Sequence, residues 1–240
     1  MKKFRLLNGI LLLFFGLFTT SCFDILEEYE FNADGSGKGK LTIDVSGMMD
    51  MMASFAGMDS TGEAQKSMDE MFTENSAVET LKKLEGISDV KSLSDRDAKI
   101  VGYSYAFANI EALNNALAAS SEAMDFASMG VDMGNPESSA GNYFVRKGNK
   151  LTRVMDFKDT DEKEEGTEEE GEQYEEMAKM MFADAKYELH YSFEQGVKKV
   201  KKSKNAVVGP DGHSVSLSVP FLDIMDKKAE MGCEILLKSN

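Results

Sequence analysis

Apolar and polar residues alternate along much of this chain in short runs, and the runs come in pairs around turn residues. Tyr29 and Phe31 alternate with polar neighbours, Asp34-Gly35-Ser36-Gly37 interrupts, and Leu41, Ile43 and Val45 alternate with Thr42, Asp44 and Ser46. A period of two on both sides of a glycine-rich turn predicts a β-hairpin with one buried face. A second hairpin is expected over 87–108. Val90 and Leu93 lead to Ser94-Asp95-Arg96-Asp97, and Val101, Tyr103, Tyr105 and Phe107 return on one face. A third has Tyr143 to Arg146 and Leu151 to Phe157 on either side of Lys147-Gly148-Asn149, a strong turn signal. Tyr187, Leu189, Tyr191 and Phe193 alternate with Glu188, His190, Ser192 and Glu194, and Val197 and Val200 are read as continuing that strand. After the turn Gly209-Pro210-Asp211-Gly212, residues 214–219 alternate up to Pro220. In a final strand Cys233, Ile235 and Leu237 share a face.

Between the hairpins the period lengthens to that of a helix. Residues 47–58, GMMDMMASFAGM, predict a short helix whose Met48, Met52 and Phe55 pack on the sheet, with Met49 and Met51 at its flanks. Met68, Met71 and Phe72 mark another helical stretch. Ser76 and Glu79 have the spacing of a capping box ahead of Val78, Leu81 and Leu84, and Gly86 supplies a stop. Asn109 is placed to cap a helix carrying Ile110, Leu113 and Leu117. Tyr174, Met177, Ala178 and Met181 repeat at helical spacing, and residues 221–230 predict a short amphipathic helix. Hairpins with helices between them, without regular βαβ alternation, imply an α+β protein: an antiparallel sheet built from hairpins with helices packed on one face. No clean linker divides the chain. A single α+β domain is expected over 29–240, with mobile loops near 120–141 and 159–172.

The first twenty-two residues follow neither pattern. Lys2, Lys3 and Arg5 precede an apolar run from Ile10 to Phe18, and Thr19, Thr20 and Ser21 lead into Cys22. The run is shorter than the roughly 20 apolar residues needed to span a bilayer, and its layout is that of a removable secretory signal. Ending on Ser-Cys, the stretch resembles a bacterial lipoprotein signal, although Thr19 stands where that signal usually has Leu. The resemblance implies a signal peptide over 1–21, acylation of Cys22 as the mature N-terminus, and a short tether over 22–28.

Charge narrows the partners. Loss of Lys2, Lys3 and Arg5 with the signal takes the formal charge from −15 to −18. Such a body is repelled by phosphate backbones, so nucleic acid is excluded as a partner. With Cys22 committed to lipid, Cys233 has no partner for a disulfide and is read as a small buried apolar residue.

No motif specifies a cofactor or a metal. GSGKGK (35–40) has the glycines of a phosphate loop, but Lys40 is followed by Leu41 and a strand rather than by Ser or Thr and a helix. The methionine-rich stretch supports core packing first. The next reading is an adaptable apolar binding surface of Met48, Met49, Met51, Met52 and Phe55. Soft Cu(I) ligation comes last, because no His or Cys stands nearby. The block 159–172 lacks the register of a calcium loop and reads as solvated. Lys198, Lys199, Lys201 and Lys202, with Lys204, form a basic patch in an acidic chain. A cationic edge strand that discourages aggregation is preferred over contact with anionic headgroups or with the chain's own acidic loop. His190 and His213 are expected on the surface.

Three stretches, YEFNADGSGKGKLTIDVS, YSYAFANIEALNNAL and NAVVGPDGHSVSLSVPFLDIM, resemble a Bacteroidetes-type lipoprotein family. More remotely, the order of elements is similar to LppM-type lipoprotein domains. That likeness implies an α+β fold with lipid binding as a candidate role, and it transfers no functional residue. The functional expectation is a membrane-anchored envelope lipoprotein, non-enzymatic, held through Cys22 and binding an apolar ligand or another envelope protein. The alternatives are an envelope hydrolase with a carboxylate-based site and a purely structural lipoprotein.

Overall fold

In the computed structural model the described residues are 24–55, 76–123, 142–155, 182–226 and 228–239, with Lys66, Phe72, Thr73 and Lys179 besides. The strands are β1 (Asp24–Phe31), β2 (Gly37–Asp44), β3 (Ile87–Ser92), β4 (Ile100–Phe107), β5 (Phe144–Lys147), β6 (Lys150–Arg153), β7 (Lys186–Phe193), β8 (Val197–Lys201), β9 (Val207–Val208), β10 (Ser214–Pro220) and β11 (Cys233–Leu237). The helices are α1 (Ser46–Phe55), α2 (Ser76–Leu81), α3 (Ile110–Ala123) and α4 (Phe221–Met225). The class is α+β.

The strands form two sheets. Seven lie in the order β3-β4-β2-β1-β7-β10-β9, and four in the order β5-β6-β11-β8. The three predicted hairpins pair antiparallel as expected: β1 with β2, β3 with β4 and β5 with β6. The sheet is nevertheless mixed, because β1 and β7 run parallel from Asp24↔Lys186 to Phe31↔Phe193. Nor does β7 continue into β8 as the alternation predicted. The chain bends at Glu194-Gln195, and Val197 starts a strand that pairs with β11 in the smaller sheet.

One face of the large sheet supplies most of the core. Ile25, Tyr29 and Phe31 of β1 share it with Leu41 and Ile43 of β2, Tyr103, Tyr105 and Phe107 of β4, Tyr187, Leu189, Tyr191 and Phe193 of β7, and Val215, Leu217 and Val219 of β10. Against it pack Ala77, Val78 and Leu81 of α2, Leu113 and Leu117 of α3, and Phe144, Leu151, Cys233 and Ile235 of the small sheet. The opposite face carries paired charges, Lys38 with Glu30 and Lys40 with Glu28, and the exposed His190.

Two glycines let the aromatics lie flat. A Cβ on Gly37 would stand 1.9 Å from the Glu30 carbonyl oxygen and 2.5 Å from Phe107, and one on Gly39 would stand 2.6 Å from the Tyr105 ring. The phosphate-loop-like glycines are therefore packing sites.

The helices differ in length from the sequence reading. Asn109 caps α3 through its side chain, accepting from the Ala112 N–H at 2.9 Å. This helix runs on through Ala123, into the stretch read as a loop that could carry a short helix at 121–129. α2 ends at Leu81 and α4 at Met225, both short of the predicted spans, although Leu84 still packs on the core. The rest of the loop near 120–141, the loop at 159–172 and the helix around 174–181 lie outside the described residues, apart from Lys179.

The tether expected over 22–28 begins differently. Residues 24–28 are the first half of β1, with Ile25 buried on the core face. Glu27 disguised that alternation, since a carboxylate occupies the inward position between Ile25 and Tyr29.

Candidate functional site

Among the described residues, Glu27 and Arg153 are the charged ones buried in this core, 9% and 4% exposed. Alternation in β1 points Glu27 inward. Alternation in β6 does the same for Arg153, two positions after Leu151. The two meet across the space between the sheets, Nη2 to Oε2 at 3.3 Å. The Tyr29 hydroxyl donates to Glu27 Oε2 at 2.6 Å, and the Tyr187 hydroxyl donates to Oε1. Both carboxylate oxygens are thereby satisfied, as a buried charge requires.

Arg153 is less fully bonded. Among the described residues its Nε and Nη1 find no hydrogen-bond partner. The guanidinium lies instead over aromatic faces, 4.7 Å from the centroid of Phe144, 5.7 Å from Tyr143 and 6.0 Å from Tyr29, and the ring quadrupoles offset part of its desolvation. Burial is the largest influence and lowers its pKa, but the Glu27 carboxylate together with Tyr29, Tyr191 and Tyr187 outweighs it, and the net shift is upward. Burial, reinforced by Glu27, drives the hydroxyls of Tyr29 and Tyr187 well above their usual range. Burial likewise pushes Tyr103, Tyr105 and Tyr191 up. At neutral pH these hydroxyls keep their protons and are not nucleophiles, and those of Tyr29 and Tyr187 donate to Glu27.

Beside the pair, the end of β6 and the start of β11 border an open cleft of about 450 Å³. Val154, Met155, Ala229 and Met231 give it apolar lining, with Thr152, Lys202 and Glu234 as polar groups. Glu230 also lines it. A carboxylate-based hydrolase needs two carboxyls whose pKa values are pushed apart. Here a hydrogen bond from Lys202 at 2.7 Å holds Glu234 below its ordinary range, and Glu230 pairs with Lys204 at 3.4 Å. Glu234 is therefore not placed as a proton donor. Burial raises the Cys233 thiol to about 11, so it is protonated at neutral pH and a poor nucleophile.

The residues singled out from the sequence do not converge. Met48 is buried in the core and Met49 is half-buried against it. The side chains of Met51, Met52 and Phe55 lie outside the described residues, while their backbone completes α1. Lys198, Lys199 and Lys201 project from β8, an outer strand of the small sheet, and Lys202 follows it. Cys22 precedes the described residues. Among those residues, no group of three or more His, Cys, Asp or Glu side chains is placed to hold a metal. No helix among them is long and apolar enough to cross a membrane. Arg153 and Glu27, the most unusual pair in the structure, were not identified from sequence. The available signal was a charge at an inward position in each of two alternating runs.

No family model matches the chain, and no curated protein matches it. A solved structure similar to it is the NMR structure of the folded domain of LppM from Mycobacterium tuberculosis. The identity is 11% and the TM-score 0.41, over 94% of this chain and 95% of that one. At that distance the functional reading rests on this chain's own residues.

Proposed function

We propose that this chain is a membrane-anchored envelope lipoprotein, non-enzymatic, whose folded body binds an apolar ligand or another envelope protein. The observation that carries the reading is the N-terminal stretch, with its basic start, its apolar run from Ile10 to Phe18 and Thr-Thr-Ser before Cys22. One acyl chain holds a protein only reversibly and two give lasting attachment, so a diacylated Cys22 would suffice without a spanning helix.

For the ligand, the cleft between the end of β6 and residues 229–234 suits a small molecule better than the methionine helix does. Its volume of about 450 Å³ falls within the range of small-molecule sites, and Met155 and Met231 make its apolar part adaptable. Met48 is occupied in the core. The hydrolase alternative has less support, because Glu230 and Glu234 are each matched to a lysine. A purely structural role needs no cleft.

Membrane fractionation tests the anchor. The native protein is expected in the membrane pellet and released by detergent but not by high salt, and a Cys22→Ser form is expected to lose that behaviour. A Cys22→Ser form that pellets as before would defeat the proposal.

A further inference from the structure

The anchor and the fold together specify which end of the body meets the bilayer. β1 starts at Asp24, so two peptide links, at most about 7 Å, separate the Cα of Cys22 from the central region of the large sheet. We infer that the body stands on the lipid surface on the end of the sheet that holds Asp24, with its strands rising away from the membrane. This rests on acylation of Cys22.

Register identifies what shares that end. Asp24 is level with Asp44 of β2 and Lys186 of β7, and Lys186 is level with Pro220 of β10. α1 therefore begins at this end, two residues past Asp44, and α4 begins there directly after Pro220. The turn between β3 and β4 is there too, its Lys99 carbonyl accepting from the Val45 N–H at 2.9 Å and its ammonium bonded to Asp50 of α1 at 2.7 Å. The carboxylates of Asp24 and Asp44 each accept a backbone N–H, from Lys186 at 2.9 Å and from Ser46 at 2.8 Å. They are therefore turned to the protein, while Lys186 lies exposed beside them. This end presents Lys99 and Lys186 together with the exposed carboxylates of Asp50, Asp97 and Asp184, so it is the short tether, not charge, that sets the orientation.

The other end collects the tight turns. Arg146 donates to the Ala33 carbonyl at 2.8 Å, tying the β5–β6 end to the β1–β2 turn, and the Val197 N–H bonds the Gly212 carbonyl at 2.7 Å. β8 starts at this far end, so Lys198 and Lys199 stand away from the bilayer, about 24 Å up the length of the eight-residue strand β1. Their role at an outer strand is then to discourage pairing with another chain rather than to touch headgroups. The cleft lies at and below the level of Glu27, because β6 descends from Lys150 to Arg153 and residues 154–155 continue toward the anchored end.

Quenching by headgroup-spin-labelled lipid tests the orientation on the full acylated protein in phosphatidylethanolamine–phosphatidylglycerol vesicles. A fluorophore is placed through Lys186→Cys at the near end, or through Lys147→Cys or Lys198→Cys at the far end. Cys233 is buried and stays unlabelled in the folded protein. The label at 186 is expected to lose at least half its emission, and those at 147 and 198 to be unaffected. A flexible 15-residue insertion between Cys22 and Asp24 is expected to erase the contrast. Equal or reversed quenching in vesicle-bound protein overturns the orientation and leaves the anchor intact, and so does a contrast that survives the insertion. Protein that fails to float with the vesicles overturns the anchor and this inference with it.

Discussion

Arg153 of β6 donates to Glu27 of β1 at 3.3 Å, joining two sheets whose contributing residues lie 126 positions apart. Desolvating both charges is costly, and the pair is retained only because two tyrosine hydroxyls satisfy the carboxylate and three rings face the guanidinium. Removing one partner is therefore far worse than removing both. Glu27→Ala is expected to destabilise the fold by about 3–5 kcal/mol, because it strands a buried cation. The double replacement Glu27→Leu with Arg153→Met should recover at least half of that loss. Urea denaturation of the single and double variants measures it, and equal losses would remove the coupling.

Asn114 holds α3 to β5 by two bonds to one residue. Its Oδ1 accepts from the Phe144 N–H at 2.8 Å and its amide donates to the Phe144 carbonyl at 2.9 Å. Phe144 begins an edge strand, so these groups have this side chain in place of a strand neighbour. Asn114→Ala leaves both buried, and at about 1–3 kcal/mol for each unmatched group the expected loss is about 2–6 kcal/mol. Hydrogen exchange at the Phe144 amide should accelerate in the variant while exchange in β2 does not. Chemical denaturation with residue-resolved exchange reads both.

Gly37 and Gly39 should not tolerate a methyl group equally. The Cβ of Gly37→Ala meets a backbone oxygen, which moves only with β1, and a loss near the upper end of the overpacking range is expected, about 3 kcal/mol. Gly39→Ala meets the Tyr105 ring, which has some freedom to tilt, and should cost less. Lys38→Ser, between them on the solvated face, breaks only an exposed pair with Glu30 and should change stability by under about 1 kcal/mol. Thermal melts of the three variants should fall in that order.

Stability should collapse in alkali. Burial raises the hydroxyls of Tyr29, Tyr103, Tyr105, Tyr187 and Tyr191 in the folded protein above their ordinary value near 10. Below that pH both states hold these protons and the tyrosines cost nothing. Above it the unfolded chain loses protons that the folded chain keeps, so stability falls as pH rises. Cys233, raised to about 11 by burial, adds the same slope from about pH 9 upward. Tyrosinate absorbance from these five should appear together with loss of circular dichroism in a titration from pH 9 to 12. Absorbance that develops fully while the dichroism is unchanged would show that the rings are open to solvent.

What the sequence displayed were local features. The turns Asp34 to Gly37, Lys147 to Asn149 and Gly209 to Gly212, the cap at Asn109, and the shared face of Cys233, Ile235 and Leu237 depend on neighbours within a few positions, and all are present. The parallel pairing of Asp24 with Lys186 was not visible, since nothing in either strand marks a neighbour 162 positions away. The same holds for the small sheet. Val197 keeps the period of β7, and only the bend at Glu194-Gln195 moves it to another partner. Glu27 was hidden for an opposite reason: its charge makes a buried strand look like a solvated tether. A carboxylate at an inward position is a clue only when a matching cation at another is sought, and Arg153 two residues after Leu151 was that cation.

Whether Cys22 carries fatty chains underlies both the function and the orientation, and the mature N-terminus answers it. Mass spectrometry of the intact protein extracted from membranes should give a chain that begins at Cys22 and is heavier than its sequence by a diacylglyceryl group, with or without an acyl group on the amine. A chain that still begins at Met1, or one with an unmodified Cys22, would contradict the account.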